Sequence, residues 1–345
     1  MAVVCQAPDA SSQRNVLSKN TLEVPTRATG EILGVQFSPS GRTIACCSAD
    51  KTIRLNSVYG NNELLLVLKG HKGAVLQCRW AAEGDRIFSC SVDCDASVWD
   101  LTTGCRIKRL SGHEEIVNTC AAAKRDHPNL LVTGSDDGNT MLWDLRINQS
   151  AVTFPGRYQV LSVAYDEGGY RVFSGSLDNQ IRIFDVRSVV TSPINGTKDE
   201  TLPAQLFSLK GHVNAITGIA LSDKNEYLVS NAMDQTVRLW DVRPFCSQGE
   251  DNRCLAITKG PTHNFEQVLQ RVNWHPQNLT VGVGSADRTS YIISFEGVES
   301  RTQEPQLLYR LPGHTGTVTE VDFHPHDNLI VTASIDRSVL LKKLS

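Results

Sequence analysis

The chain has 345 residues, 40% of them hydrophobic, and its 34 Lys and Arg nearly balance 37 Asp and Glu, giving a formal net charge of −3. That leaves no global field to drive binding to nucleic acid or to an acidic membrane, and the apolar fraction is sufficient for a core, which excludes wholesale disorder. With 25 Gly and 13 Pro and no triplet period, collagen-like and low-complexity classes are excluded as well.

The opening residues Met1–Asp9 lack both a basic region and a long apolar region, so no signal peptide is expected. No later stretch approaches the roughly 20 apolar residues that cross a bilayer, so no membrane partner is expected either. Residues 1–14 read as a short disordered tail ahead of a single domain over 15–345. The ten cysteines fall mostly inside apolar alternating runs, as in Ile44-Ala45-Cys46-Cys47-Ser48, and no C-x-x-C occurs. Free buried thiols in a reducing compartment account for this better than disulfides or a zinc site.

The dominant signal from there on is self-similarity. Gly-His follows an apolar run at Gly70-His71, Gly112-His113, Gly211-His212 and Gly313-His314, and 22 to 24 residues later comes a turn aspartate: Asp93, Asp137, Asp234 and Asp336. In three copies Trp-Asp lies six residues further on, at Trp99, Trp143 and Trp240. Weaker copies centre on Asp50, Asp178 and Asp287, making seven turn aspartates at intervals of 43, 44, 41, 56, 53 and 49 residues. Between these marks the chain alternates with period two, as in Thr236-Val-Arg-Leu-Trp240, and turn residues recur at short intervals, which reads as successive antiparallel strands. Four strands per unit with Gly-His and Trp-Asp marks resembles the WD40 repeat. The expected fold is therefore all-β: a seven-bladed WD40 β-propeller with four antiparallel strands per blade. The chain ends just after the third strand of repeat seven, so an N-terminal strand around Asn20–Pro25 should close the ring.

The marks have a physical purpose. His, a Ser or Thr four residues before the Asp (Ser89, Thr133, Ser174, Ser230, Thr332), the turn Asp and the Trp can form one buried hydrogen-bonded chain, and buried polar groups are tolerable only when mutually satisfied. Repetition at a fixed offset assigns these histidines to the fold rather than to catalysis or a metal. His324-Pro-His326 and His275-Pro276 sit where turns are due. No Walker loop, G-x-S-x-G, H-E-x-x-H or EF-hand loop occurs, so no catalytic, cofactor-binding or metal-binding residue is expected.

What remains is a binding surface. The residue before each turn Asp should lie on a rim, and four of the seven are sizeable and apolar: Val92, Leu177, Met233 and Ile335. Two long connections stand out, Arg187–Pro203 and Pro244–Glu266. The second carries Phe245 and Phe265, candidates for partner contact.

A closer likeness lies in Tyr227-Leu-Val-Ser-Asn-Ala-Met-Asp-Gln-Thr-Val-Arg-Leu-Trp-Asp-Val-Arg-Pro-Phe245, together with Thr133-Gly-Ser-Asp-Asp-Gly138, Tyr158-Gln-Val-Leu161, His263-Asn-Phe-Glu266, Gly284-Ser-Ala-Asp-Arg288 and Leu311-Pro-Gly-His314. These span repeats three to seven in order and resemble the family of forty-kilodalton WD-repeat subunits of the U5 small nuclear ribonucleoprotein. The resemblance implies a non-catalytic nuclear scaffold acting in pre-mRNA splicing. One copy would work within a larger complex, docked to the large central U5 protein, with other splicing proteins as neighbours and U5 RNA contacted mostly indirectly. The alternative is a WD40 adaptor of a chromatin-modifying or ubiquitin-ligase complex.

Overall fold

The computed structural model describes residues 3–5, 21–123, 127–147, 150–166, 168–187, 205–244, 253–263, 268–298 and 304–344. The turn chemistry repeats most strictly. The residue after each turn aspartate (Lys51, Cys94, Gly138, Asn179, Gln235, Arg288 and Arg337) has a positive φ between 62° and 84°. In six blades the Asp side chain accepts the amide two residues on, for example Thr236 N at 3.0 Å and Asn139 N at 2.8 Å. Only one of these left-handed positions is glycine, so the aspartate's local bond helps to hold a conformation that costs other residues about 1–2 kcal/mol.

Each such turn joins the second and third strands of a four-stranded antiparallel sheet. The seven sheets begin at inner strands Ile32–Phe37, Val75–Trp80, Val117–Ala122, Val160–Tyr165, Ile216–Leu221, Val272–Trp274 and Val318–Phe323, which define blades one to seven. Inner strands of consecutive blades touch, and blade seven meets blade one, so the ring is closed. In blade seven the outer strand is Thr21–Glu23, paired antiparallel with Val339–Lys343, and the Val24 amide donates to the Val339 carbonyl at 2.9 Å. Closure by an N-terminal strand is thus realised at the expected residues. Earlier still, where a disordered tail was expected, Val3–Cys5 pairs in parallel with Cys254–Lys259, the outer strand of blade five.

Burial explains the apolar pattern. Second and third strands lie between neighbouring blades and are covered on both faces, so Arg86–Ser91 and Leu130–Ser135 are buried almost throughout. Outer strands such as Arg106–Ser111 bury a single residue, here Leu110. The core is accordingly seven separate clusters, one at each junction between blades; that between seven and one joins Val24, Ile32 and Val35 to Val331 and Val339. Cys46, Cys47, Cys78, Cys90 and Cys120 are free and buried in the packed strands, and burial raises the Cys46 thiol above its ordinary range.

One expectation needs correction. Pro244–Glu266 is not a single connection, because the strand Cys254–Lys259 divides it. One part follows the third strand of blade five and the other follows its outer strand, so they leave the sheet at opposite ends. The alternation of Leu255-Ala256-Ile257 was too short to stand out between loop residues. Phe245 and Phe265 lie outside the described residues, as do 188–203.

Candidate interaction surfaces

The repeated polar residues form the expected chain in blades two, three and five. In blade five, Trp240 Nε1–H donates to Ser230 Oγ at 2.8 Å, Ser230 lies 2.6 Å from His212 Nε2, and His212 Nδ1 lies 2.9 Å from Asp234. Indole can only donate and a carboxylate can only accept. The neutral imidazole therefore carries its proton on Nδ1, and the serine hydroxyl donates to Nε2. Burial lowers the pKa of His71, His113 and His212, which keeps them neutral. Asp234 is held well below the usual carboxylate range: burial opposes ionisation, but His212, Thr236 and the Val213 amide outweigh it.

Asp50, Asp178 and Asp287 persist without this histidine because the carboxylate has other work. In blade one, Asp50 accepts the Thr29 amide from the incoming loop at 3.0 Å as well as Thr52 and Arg54. Asp178 pairs with Arg182, and Asp287 accepts the Tyr291 hydroxyl. In blade seven His314, Thr332 and Asp336 are in place, but Lys342 occupies the Trp register, opposite Ile330 as Trp99 is opposite Ile87. His324 serves a turn: its Nε2–H donates to Gly41 O at 2.8 Å, while Nδ1 accepts the His326 and Asp327 amides.

The rim residues separate into two groups. Val92 and Leu177 are exposed (38% and 43%), whereas Met233 and Ile335 are half-buried. Two exposed residues that the rim count missed join them: Tyr158 at 46% and Val213 at 77%. The Leu177 amide donates to the Gln159 carbonyl and the Met233 amide to the Ala215 carbonyl. Tyr158 therefore neighbours Leu177 on blade four, and Val213 neighbours Met233 on blade five, giving apolar pairs on adjacent blades. Val213 was legible in principle. The residue after Gly-His is Lys72, Glu114 or Thr315 in the other three copies, and only here apolar.

At the opposite face the inner strands surround an axial funnel of about 770 Å³. The penultimate residue of each inner strand lines it, and around the ring these are Gln36, Arg79, Ala121, Ala164, Ala220, Asn273 and Asp322. Blades six, seven, one and two thus present a polar wall, and blades three to five a wall of three alanines. Deeper in, buried Glu320 accepts Arg79 Nη2 at 2.7 Å and the Val35 amide at 2.9 Å. Arg271 reaches across from blade six to the Asn118 carbonyl of blade three at 2.7 Å. Among the described residues no group of three or more His, Cys, Asp or Glu is placed to hold a metal ion.

Comparison with known proteins agrees with this architecture. The family model "WD domain, G-beta repeat" matches residues 19–56, 62–100, 104–144, 148–185, 203–241 and 305–341. The U5 small nuclear ribonucleoprotein 40 kDa protein of Homo sapiens is 39% identical over 315 residues, which cover 91% of this chain and 81% of that protein. Its namesake in Dictyostelium discoideum is 35% identical over 91% and 82%. Pre-mRNA-splicing factor cwf17 of Schizosaccharomyces pombe is 35% identical over 92% and 86%. The chain belongs to this family of WD40 proteins. The WD40 match skips blade six, where the inner strand Val272–Trp274 is short and Ile293 stands in the Trp register. The blade forms nonetheless, because Asp287 keeps its turn.

Proposed function

We propose that this WD40 ring is a non-catalytic scaffold of the U5 small nuclear ribonucleoprotein, acting in the nucleus in pre-mRNA splicing and docking the large central U5 protein. The observation that carries this reading is the identity of more than a third over nine-tenths of the chain with proteins named for that particle and for splicing. The near-neutral charge fits protein contact, with U5 RNA reached mostly through other subunits. The docking surface is the rim that carries Tyr158, Leu177, Val213 and Met233, with Val92 and Ile335 further round. Exposed apolar residues on such a rim gain most when a partner removes them from water.

The test is affinity purification of the tagged chain from nuclear extract, followed by protein identification and RNA probing. Recovery of splicing proteins with U5 RNA, the proteins surviving nuclease treatment, is the expected result. Recovery of chromatin or ubiquitin-ligase subunits alone would overturn the assignment in favour of an adaptor elsewhere. The double variant Leu177→Asp with Met233→Asp should keep the ring folded and lose the central partner; unchanged recovery by the folded variant removes the rim from the proposal.

A further inference from the structure

The axial funnel has a polarity that neither the repeat nor the rim explains. Its alanine wall comes from three consecutive blades, each side chain ending at Cβ, so that this side of the funnel is largely apolar, with Asp223 of blade five as its charged group. Facing it, Asp322 is half-buried and lines the cavity, with one oxygen accepting the Phe37 amide at 2.7 Å. Arg79 stands on the same wall, but its guanidinium is engaged by Glu320 at 2.7 Å and by the Cys78 carbonyl. Among the described residues no Lys, Arg or His forms an ion pair with Asp322. Among the described residues the charged groups around it are Glu320 on its own strand, Arg79 from blade two and, also lining the funnel, Asp223 from blade five; blades one and six contribute the uncharged Gln36 and Asn273. Among the described residues two carboxylates and one cation line the funnel, and that cation is already paired with a third carboxylate, Glu320. The indoles of Trp80 and Trp274 complete the lining.

We propose that this funnel is a binding site for a basic side chain of a partner polypeptide, a lysine or arginine whose aliphatic stem lies along Ala121, Ala164 and Ala220 and whose head meets the Asp322 carboxylate. The chemistry is complementary in both parts. The methylene stem of such a side chain prefers apolar surface while its head seeks a charge partner, and the cavity falls within the usual range for binding clefts. A neutral occupant leaves the Asp322 carboxylate without a charge partner, and an anionic one is repelled by it. Burial, reinforced by Glu320 and opposed by the Phe37 amide, pushes the Asp322 carboxyl up to about 7. A bound cation restores the ionised form. The assignment is independent of the splicing role, since it rests on the funnel alone.

Trp80 and Trp274 supply the readout. n-Butylammonium and n-butylguanidinium are titrated into the intact chain at pH 8, with indole fluorescence and calorimetry as signals, n-butanol as the neutral control and acetyl-Gly-Gly-Arg-Gly-Gly-amide as the peptidyl form. Both cations and the peptide should bind saturably, and n-butanol should not. At pH 6 the carboxyl is about one-tenth ionised and at pH 8 about nine-tenths, so affinity should fall about tenfold at the lower pH while the ligands stay charged. Asp322→Asn should abolish binding with no loss of stability, because it removes a carboxyl that resists ionisation. Ala121→Leu, which narrows the opposite wall, should weaken binding with Asp322 intact. Equal binding by n-butanol, or binding unchanged in Asp322→Asn, overturns the site. Binding by n-butylammonium without binding by the peptide overturns the polypeptide source.

Discussion

Lys342→Trp should stabilise the ring. Lys342 sits in the register that holds Trp99, Trp143 and Trp240 elsewhere, and only 2% of it is exposed. Its ammonium donates to the Pro312 carbonyl at 2.5 Å, and burial lowers its pKa from 10.5 to about 8. A native pKa below the unfolded one means that the unfolded chain binds the proton more tightly. The lysine therefore costs stability fully below pH 8, and that cost is recovered as pH rises from 8 to 10.5. The shift corresponds to about 3 kcal/mol; against it, the exchange leaves the Pro312 carbonyl without its partner, at about 1–3 kcal/mol. An indole in this place would put Nε1–H near Thr332 Oγ1, as Trp240 does with Ser230, for about 1 kcal/mol more. Gly313, with a φ of 137°, already supplies the close approach that Gly70 gives Trp99. The exchange is thus expected to add about 1–3 kcal/mol at pH 7 and to erase the extra rise in stability between pH 8 and 10.5. Urea unfolding at pH 7, 9 and 10.5 on both proteins, with Lys342→Leu as an uncharged control, measures this. If the Leu variant keeps the wild-type pH dependence and the Trp variant is no more stable, the reasoning about the buried ammonium is wrong.

Deleting residues 1–25 should cost about 3 kcal/mol or more, since it removes the Thr21–Glu23 strand and the buried Val24 and leaves Val339–Lys343 as an open edge. Concentration-dependent association on a sizing column should accompany it, while removal of 1–14 leaves the ring closed and monodisperse. Asp234→Asn should cost about 1–3 kcal/mol at pH 7, remove the carboxylate part of the acid limb and steepen the histidine part, because the Asp234 charge no longer holds the His212 pKa up against burial. The sign follows from the native pKa values: Asp234 and His212 both lie below their ordinary values, so the histidine part is lost as pH falls below about 6.5 and the carboxylate part as it falls below about 4. An acid limb identical to wild type in urea titrations at pH 7, 5 and 4 would contradict it. Gln235→Gly should gain up to about 1 kcal/mol by relieving a left-handed backbone at φ 62°; a loss of stability would show that the side chain contributes more than the strain costs.

The blade count and ring closure were legible because they depend on local chemistry repeated in register. A carboxylate that bonds the amide two residues ahead makes a turn wherever it falls, so Asp50 and Asp287 mark their blades even where Gly-His or Trp-Asp is gone, and Asp178 marks blade four at a turn where it pairs with Arg182. The splitting of Pro244–Glu266 was not legible. Its strand Cys254–Lys259 is an outer strand whose stability comes from pairing with Thr236–Asp241 and not from its own alternation.

The rim was half legible. Sequence places Val92, Leu177, Met233 and Ile335 at equivalent turns, but exposure depends on how far the neighbouring loop folds over each one, and that is a property of the assembled ring. Tyr158 and Val213 became partners of Leu177 and Met233 only through amide bonds between loops about 20 residues apart in sequence. The funnel was invisible for the same reason: Ala121, Ala164 and Ala220 are unremarkable strand residues until closure sets three blades side by side opposite Asp322. Sequence alone determined the repeat, its turns and its buried polar chains, since each is written within one blade of about 40 residues. Which side chains meet across blades was decided by tertiary structure, because only the closed ring brings residues nearly 300 positions apart, such as Val35 and Glu320, within a hydrogen bond.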